Sequence, residues 1–207
     1  MPDDVIGVVL AGGQSRRMGG ADKGLAELAG RPLVGHVIDR VRPQVGTLIL
    51  NSNAPPERYG AFGLPLVADD LPAGVEAFAG PLAGVLSGLD WAAAHAPDAR
   101  WIATVAADAP FVPEDLVGRL CLAVDCESAD LACAASGGRS HPVFGLWPVR
   151  LRRALRRAVV EEGVRKVDAW TARYQLVEVS YGTRPVDPFF NVNRPEDLAE
   201  AERLIAA

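Results

Sequence analysis

Apolar residues fall along the chain in blocks that predict strands and helices in alternation. A β-branched run at residues 5–9 predicts a buried first strand. Similar runs predict strands at residues 47–50, 66–68, 101–106, 131–135, 143–147 and 175–179. Apolar residues at helical spacing predict helices at residues 32–44, 82–94, 113–124, 149–162 and 195–206. This alternation favours an α/β fold, in which helices cover a parallel or mixed sheet.

The loop after the first strand is rich in glycine and in positive charge. Gly12 and Gly13 let the backbone turn sharply, so that successive N–H groups can point into one concavity, which is a typical anion site. Arg16, Arg17 and Lys23 add cations to the same loop. An ordinary surface turn has no need of such a cluster beside a glycine pair. The loop is therefore predicted to hold phosphates.

Two common phosphate loops do not fit this segment. A Walker A loop needs Gly-Lys followed by Ser or Thr, whose hydroxyl reaches magnesium, whereas Lys23 lies between Asp22 and Gly24. A Rossmann dinucleotide turn needs GxGxxG opening directly into a helix, whereas this loop has adjacent glycines and a long polar excursion. A different class of nucleotide site is indicated.

Polar residues follow several predicted strands directly. Asn51 comes after the second strand, Asp69 after the third, and Asp108 after the strand at residues 101–106. Ligands of open α/β sheets bind outside the carboxyl ends of the strands, where the glycine loop also begins. The sequence therefore predicts one composite site at that edge.

Asp108 is the candidate metal ligand, because a carboxylate at the end of an apolar strand is costly to bury without a partner. Magnesium is commonly held by one or two protein carboxylates, with phosphate oxygens and water completing the coordination. The amide oxygen of Asn193 or Asn191 is a candidate second ligand. Asn193 is also a plausible cap for the last helix.

These residue types suit magnesium-dependent nucleotidyl transfer, in which two anions must be brought together and the charge on the transferring group stabilised. Lys23 is expected to bind the phosphates as a point charge. Arg16 and Arg17 are expected to neutralise the leaving pyrophosphate. Backbone groups are expected to face the nucleotide at Leu10, Ala11 and Gly12.

The loop at residues 10–24, LAGGQSRRMGGADKG, resembles the LAGGxSxRMGxxDK signature of the molybdenum cofactor guanylyltransferases, a family of the nucleotidyltransferase superfamily. The resemblance continues in the family's order through LILNSN at 48–53, VADD at 67–70, GPLAG at 80–84, ADAP at 107–110, RSHP at 139–142 and FNVNRPEDL at 190–198. Each block alone is weak evidence, but the ordered set covers nearly the whole chain.

This resemblance implies a single-domain Rossmann-like three-layer sandwich with a mostly parallel central sheet, of the nucleotide-diphospho-sugar transferase type. It also implies transfer of GMP from GTP, with Mg²⁺ as cofactor, to the terminal phosphate of molybdenum-molybdopterin, giving molybdopterin guanine dinucleotide and pyrophosphate. Residues 1–110 are expected to bind the nucleotide and residues 111–207 the acceptor. Molybdoenzymes or their chaperones are further expected partners.

The expected site residues form two groups. Those expected to act on the reacting phosphates are Lys23, Asp108 and Arg17. Those expected to bind the nucleotide or the second substrate are Leu10, Ala11, Gly12, Gly13, Arg16, Lys23, Asn51, Asp69, Asp108, Asn191, Asn193 and His141. The expected metal ligands are Asp108 and Asn193.

Two alternatives stay open. One is a related transferase that uses CTP or acts on a sugar phosphate or alcohol phosphate, although sugar enzymes usually need a longer chain. The other is a catalytically silent adaptor that binds a nucleotide and delivers cofactor. The presence of both Lys23 and Asp108 argues against the adaptor, because a binding module has less need of the metal carboxylate.

The charge composition of the chain limits the kinds of partner that we expect. Asp and Glu total 26 against 21 for Lys and Arg, so no basic footprint for nucleic acid is expected. The basic concentration at residues 150–157 fits a solvated helix face, or recognition of the pterin phosphate or of an acidic partner. We see no apolar run long enough for a membrane span and no secretory signal, so we expect a cytoplasmic protein. We also expect a monomer.

The cysteines are expected to be small buried hydrophobes. Cys121, Cys126 and Cys133 are odd in number and form no CxxC pair. A disulfide framework and a zinc site are therefore not predicted.

Overall fold

The computed structural model describes residues 4–12, 23–75 and 80–206. Its strands are β1 (Val5–Leu10), β2 (Glu27–Leu28), β3 (Arg31–Pro32), β4 (Thr47–Asn51), β5 (Leu66–Val67), β6 (Trp101–Ala106), β7 (Leu131–Ser136), β8 (Arg139–Pro148) and β9 (Leu176–Tyr181). Its helices are α1 (Leu33–Val41), α2 (Pro81–His95), α3 (Leu116–Glu127), α4 (Arg152–Val160), α5 (Val167–Thr171) and α6 (Pro195–Ala206).

The main sheet has the strand order β5-β4-β1-β6-β8-β7-β9 across the described residues. β1 pairs in parallel with β4 and β6, and β9 pairs in parallel with β7. β8 is antiparallel to both of its neighbours. All the other strands of this sheet therefore end at the same edge, which collects the residues that follow β1, β4, β6 and β7.

Helices cover both faces of the sheet. One core lies between the strands and α1 and α3, with Val37 and Leu120 among its fully buried residues. The other lies under α2, α4 and α5, with Leu86 and Trp170 fully buried. The three-layer α/β sandwich with a mostly parallel sheet is confirmed.

A buried polar contact fixes the register where the sheet reverses direction. Thr104 of β6 donates its hydroxyl proton to the Val143 carbonyl of β8 at 2.6 Å. The indole N–H of Trp147 donates to the same hydroxyl oxygen at 2.9 Å. Because a buried hydroxyl is costly without partners, these bonds hold β8 in one alignment with β6.

The sequence predicted every strand of the main sheet and missed several short elements outside it. The predicted strand at 101–106 and helix at 195–206 have the bounds of β6 and α6. β8 begins four residues before the predicted 143, because polar residues 139–141 pair with β7. The predicted helix 149–162 ends at Val160 as α4, and the five-residue α5 and the β2–β3 ribbon were not predicted.

Helix α2 lies close to β1 because glycine faces the strand. A Cβ atom at Gly88 would stand 2.8 Å from Val8 Cγ2 and 3.1 Å from Ile102 Cδ1. Val8 and Ile102 are themselves fully buried, so neither can move aside cheaply. A side chain at position 88 would therefore force the helix away from the sheet.

We expect Gly88→Ala to lower the free energy of unfolding by about 1–3 kcal/mol, the usual cost of overpacking a core. This loss occurs although alanine favours a helix over glycine by about 1 kcal/mol. Gly118→Ala in α3 is the matched control, since nothing lies within 4 Å of its added Cβ and it should stabilise the chain. Denaturant unfolding compares the two. Equal stability of both variants would contradict the close approach of α2.

Candidate active site

The glycine loop leaves the sheet at the carboxyl end of β1. The Leu10 carbonyl accepts a hydrogen bond from Ala107 N–H at 3.1 Å, and Ala11 N–H donates to the Asn51 carbonyl at 2.9 Å. These two backbone groups therefore hold the strands together, and nucleotide binding by the backbone of Leu10, Ala11 and Gly12 stays a prediction. Gly12 is exposed at the start of the loop. Three expected phosphate-binding residues lie outside the described residues: Gly13, Arg16 and Arg17.

Asp108 stands just beyond the end of β6 and is half-buried. Burial raises the pKa of its carboxyl group, while the nearby Lys23 ammonium and the backbone N–H of Asp108 itself oppose that rise. The carboxylate therefore has an energetic need for a cation. Its backbone carbonyl accepts a hydrogen bond from Val192 N–H at 2.9 Å, so the C-terminal part of the chain reaches this strand end.

Lys23 bonds to a residue at the far end of the sequence. Its Nζ donates to Asn193 Oδ1 at 2.7 Å, and Asn193 Nδ2 donates to the Asn191 carbonyl at 3.2 Å. The structure thus brings Lys23, Asp108 and Asn193 together, as the composite-site prediction requires. Asn191 contributes its backbone here, and its side chain is exposed.

The prediction that the Asn193 side chain caps α6 is wrong in this structure. Its amide oxygen is occupied by Lys23. The carboxylate of Asp197 reaches back instead, accepting from Asn193 N–H at 2.8 Å and from Arg194 N–H at 2.9 Å. A carboxylate is well suited to this place because the N-terminus of a helix attracts negative charge.

Residues 187–193 form what we call the crossing loop, which passes over the carboxyl edge of the sheet. At its start, Asp187 Oδ1 accepts from Ser136 Oγ of β7 at 2.8 Å. Further along, Val192 bonds to Asp108, and Asn193 bonds to Lys23. The loop therefore connects the end of β7 with the end of β6 and with Lys23.

Asn51 and Asp69 belong to a polar network on the other side of Asp108. The buried Asn51 amide donates to the Val67 carbonyl at 3.0 Å and to Asp69 Oδ1 at 2.9 Å. Asp69 Oδ2 accepts from Asn53 Nδ2 at 2.9 Å, and Ser87 Oγ of α2 donates to Asp69 Oδ1 at 3.3 Å. The sequence placed Asn51 and Asp69 together but missed Ser87, which lies in an otherwise apolar helical run.

Gly84 leaves room for the Asn51 side chain. A Cβ atom at Gly84 would lie 2.3 Å from Asn51 Oδ1 and 2.7 Å from Leu10 Cδ2. The amide oxygen of Asn51 therefore points at the first turns of α2, in a space where only glycine fits. This contact gives a physical reason for the second glycine of the GPLAG block.

His141 lies beside the crossing loop. Its Nε2 is 2.8 Å from Ser136 Oγ, and its ring lies 4.9 Å from that of Phe189, between ring centroids. Burial lowers the pKa of His141, an effect that Asp187 opposes and Arg139 reinforces. Ser136 and Asp187 were not predicted as site residues, because they are 51 positions apart and no local pattern links them.

A cavity of about 730 Å³ opens under α5 and against β7, β8 and β9, on the opposite face of the sheet from the His141 ring. Its lining includes the cations of Arg139, Arg165 and Lys166, together with the carboxylates of Asp168 and Glu178. Ser140 and Pro142, the neighbours of His141 in the chain, also line it. The space is large enough for a small organic ligand and has a mixed charge suited to a phosphorylated one.

The residues present fit a divalent cation held mainly by substrate. Among the described residues, no three His, Cys, Asp or Glu side chains cluster as a metal site. Asp108 offers one carboxylate whose burial favours a cation, which is enough for magnesium when phosphate oxygens supply further ligands. The Oδ1 atom of Asn193 already accepts from an ammonium, which competes with a metal for the same oxygen.

Most of the basic residues near α4 are paired within the protein. Arg152 and Arg156 both bond to Asp90 of α2, at 3.3 and 2.6 Å. Arg150 bonds to Asp130 at 2.5 Å. Arg153 and Arg157 are exposed. These pairs favour the interpretation of the basic segment as a helix face that docks on α2.

The cysteines have different surroundings. Cys133 is buried, and burial raises its pKa to about 12. Cys126 is exposed, so the prediction of a buried hydrophobe is wrong for that residue. In the part of the chain that the structure describes, no helix is both long and apolar enough to cross a membrane.

Comparison with known proteins agrees with this geometry. A family model described as "MobA-like NTP transferase domain" matches residues 7–177. The chain is 57% identical over 202 residues to the molybdenum cofactor guanylyltransferase of Bradyrhizobium sp. (strain ORS 278), covering 98% of this chain and 93% of that protein. It is 57% identical over 197 residues to the protein of the same name from Rhodopseudomonas palustris (strain BisB5), covering 95% and 92%.

A solved structure has the same fold. Molybdopterin-guanine dinucleotide biosynthesis protein A from Archaeoglobus fulgidus matches with a TM-score of 0.72 at 22% identity, covering 98% of each chain. The chain belongs to the MobA-like NTP transferase family and, within it, to the molybdenum cofactor guanylyltransferases.

Proposed function

We propose that the chain transfers GMP from Mg-GTP to the terminal phosphate of molybdenum-molybdopterin, giving molybdopterin guanine dinucleotide and pyrophosphate. The observation that carries the chemistry is the meeting of Lys23, Asn193 and Asp108 at one edge of the sheet. Guanine and the pterin acceptor come from the family, two of whose members are 57% identical to this chain.

In this reaction an oxygen of the acceptor phosphate bonds to the α-phosphorus of GTP. The bond from the α-phosphorus to the bridging oxygen of the β-phosphate breaks, and its electron pair leaves with pyrophosphate. The protein contributes positioning and charge, since a phosphate nucleophile needs no strong base. Lys23 would place its ammonium on the triphosphate, and Asn193 holds that ammonium in position.

Asp108 would hold the magnesium ion. When bound, Mg²⁺ would neutralise phosphate charge and orient the triphosphate. Lys23 lies near this partly buried carboxylate, but no described residue forms an ion pair with it, which leaves its oxygens available to a metal. Binding of the metal by Asn193 as a second ligand stays a prediction. Binding of the phosphates by Gly13, Arg16 and Arg17 also stays a prediction.

The two halves of the site would take the two substrates. The network of Asn51, Asp69 and Gly84 under α2 supports nucleotide binding at the β1–β4 side. The cavity lined by Arg139 and Lys166 supports acceptor binding at the β7–β9 side. With this division of the chain near residue 110, which stays a prediction, Asp108 would lie between the two substrates.

We expect Lys23→Ala to lower kcat about 10²- to 10³-fold, because it removes one preorganised charge from the transferring phosphates. The loss of stability should be small by comparison, about 1–2 kcal/mol for one charged hydrogen bond. Pyrophosphate release with GTP, magnesium and molybdenum-molybdopterin measures the rate. Arg153→Ala, which removes an exposed cation of α4, is the matched control. Normal turnover of the Lys23 variant would remove the assignment.

We expect GTP with magnesium to stabilise the chain more than CTP, ATP or UTP does. A ligand at one hundred times its Kd adds about 2.7 kcal/mol, which corresponds to a rise in Tm of roughly 5–10 °C for a chain of this size. Thermal unfolding with each nucleotide at equal concentration tests the base preference. Stabilisation by CTP alone would contradict the guanylyl assignment while leaving nucleotidyl transfer intact.

A further inference from the structure

Ser136 stands between a carboxylate and an imidazole. Its Oγ donates to Asp187 Oδ1 at 2.8 Å and lies 2.8 Å from His141 Nε2. A hydroxyl has a single proton, and an ionised carboxylate can only accept. Because that proton goes to Asp187, the hydroxyl oxygen must accept from His141, and Nε2 must carry a hydrogen.

This arrangement decides the state of the other ring nitrogen. In a neutral imidazole, hydrogen on Nε2 leaves Nδ1 with a lone pair. Burial lowers the pKa of His141, which favours the neutral ring. No hydrogen bond joins Nδ1 to the described part of the chain, so this nitrogen is available as an acceptor there.

His141 lies at the active edge of the sheet, beside the crossing loop. It pairs with Ala134 near the end of β7, and β6 ends at the same edge. The crossing loop runs from Phe189, whose ring packs on His141, to Val192, whose N–H bonds to the Asp108 carbonyl. His141 therefore contacts the same loop that closes over Asp108.

The ring is also held against rotation. It packs on Phe189 of the crossing loop at 4.9 Å and meets the edge of Phe144 at 6.3 Å, between ring centroids. Asp187 Oδ1 also accepts from Phe189 N–H at 3.0 Å. The same carboxylate thus fixes both the hydroxyl that sets the tautomer and the loop that carries the packing ring.

We propose that Ser136 and Asp187 are positioning residues that lock His141 with hydrogen on Nε2, so that Nδ1 accepts a hydrogen bond from an N–H group of the acceptor substrate. This role rests on the proposed function, because it supposes a pterin acceptor, whose ring carries N–H donors. It assigns to His141 a part in recognising the acceptor and none in binding GTP.

The tautomer can be read without any substrate. Nitrogen-15 NMR of the full chain at pH 8 should give His141 one signal typical of a protonated ring nitrogen, assigned to Nε2, and one typical of an unprotonated nitrogen, assigned to Nδ1. His141→Gln identifies its signals among the 3 histidines. Ser136→Ala should move the two signals toward averaged values, and Ser136→Thr, which keeps the hydroxyl, should restore the wild-type pair.

The kinetics of the same variants test whether the locked tautomer contributes to binding of the acceptor substrate. Ser136→Ala should raise the KM for molybdenum-molybdopterin about 3- to 10-fold, the effect of one hydrogen bond, and leave the KM for GTP unchanged. Ser136→Thr should restore the acceptor KM. His95→Gln, at an exposed position on α2, is the control that changes neither KM.

The outcomes separate this proposal from the proposed function. Hydrogen on Nδ1, or an averaged pair in the wild-type chain, overturns the locked tautomer even when transfer is normal. An unchanged acceptor KM in Ser136→Ala, or an equal rise in both KM values, overturns the recognition role. Absence of transfer in a wild-type chain that shows the locked tautomer overturns the proposed function and, with it, the assigned use of Nδ1.

Discussion

The active edge of this protein depends on the carboxylate of Asp108, which lies in a place where burial disfavours its negative charge. Asp108 follows a buried strand, and its pKa is raised by burial and only partly lowered again by Lys23. The crossing loop closes over this position, with Val192 bonded to the Asp108 backbone and Asn193 bonded to Lys23. Glycine loop, strand end and C-terminal segment thus meet around one unsatisfied charge, which a cation and a triphosphate together would complete.

The crossing loop also joins the two sides of the sheet edge that are proposed to bind the two substrates. It starts at Asp187, which holds Ser136 at the end of β7, and it ends at Asn193, which accepts a hydrogen bond from Lys23. Strand pairing makes this span short, since β7 and β6 end at the same edge with only β8 between them. A change in the loop would therefore affect both the side proposed to bind the phosphates and the side proposed to bind the acceptor. By contrast, two of the basic residues of α4, Arg152 and Arg156, form ion pairs with Asp90 of α2.

Elements with a strong apolar period could be predicted from the sequence, because burial alone decides them. β6 is an example, whereas α5 is five residues long and the start of β8 is polar and held by pairing with β7. Asn51 and Asp69 could be predicted as neighbours because they lie at the ends of the parallel strands β4 and β5. The contact of Ser136 with Asp187 could not, since it depends on the path of an irregular loop. Likewise, the Asn193 cap failed because a distant lysine takes its oxygen.

The most direct test is the paired stability and activity of Asp108→Asn. An acid whose pKa is raised by folding loses stability as pH rises through its unfolded value, near ~3.9, to its folded value, and the loss persists at neutral pH. Without metal at pH 7.5, calorimetry should therefore give the variant a higher Tm than the wild type, with the difference shrinking as the pH is lowered toward the unfolded value. GMP transfer should fall at least about 10²-fold. A less stable variant, or one that still transfers GMP, would contradict the account.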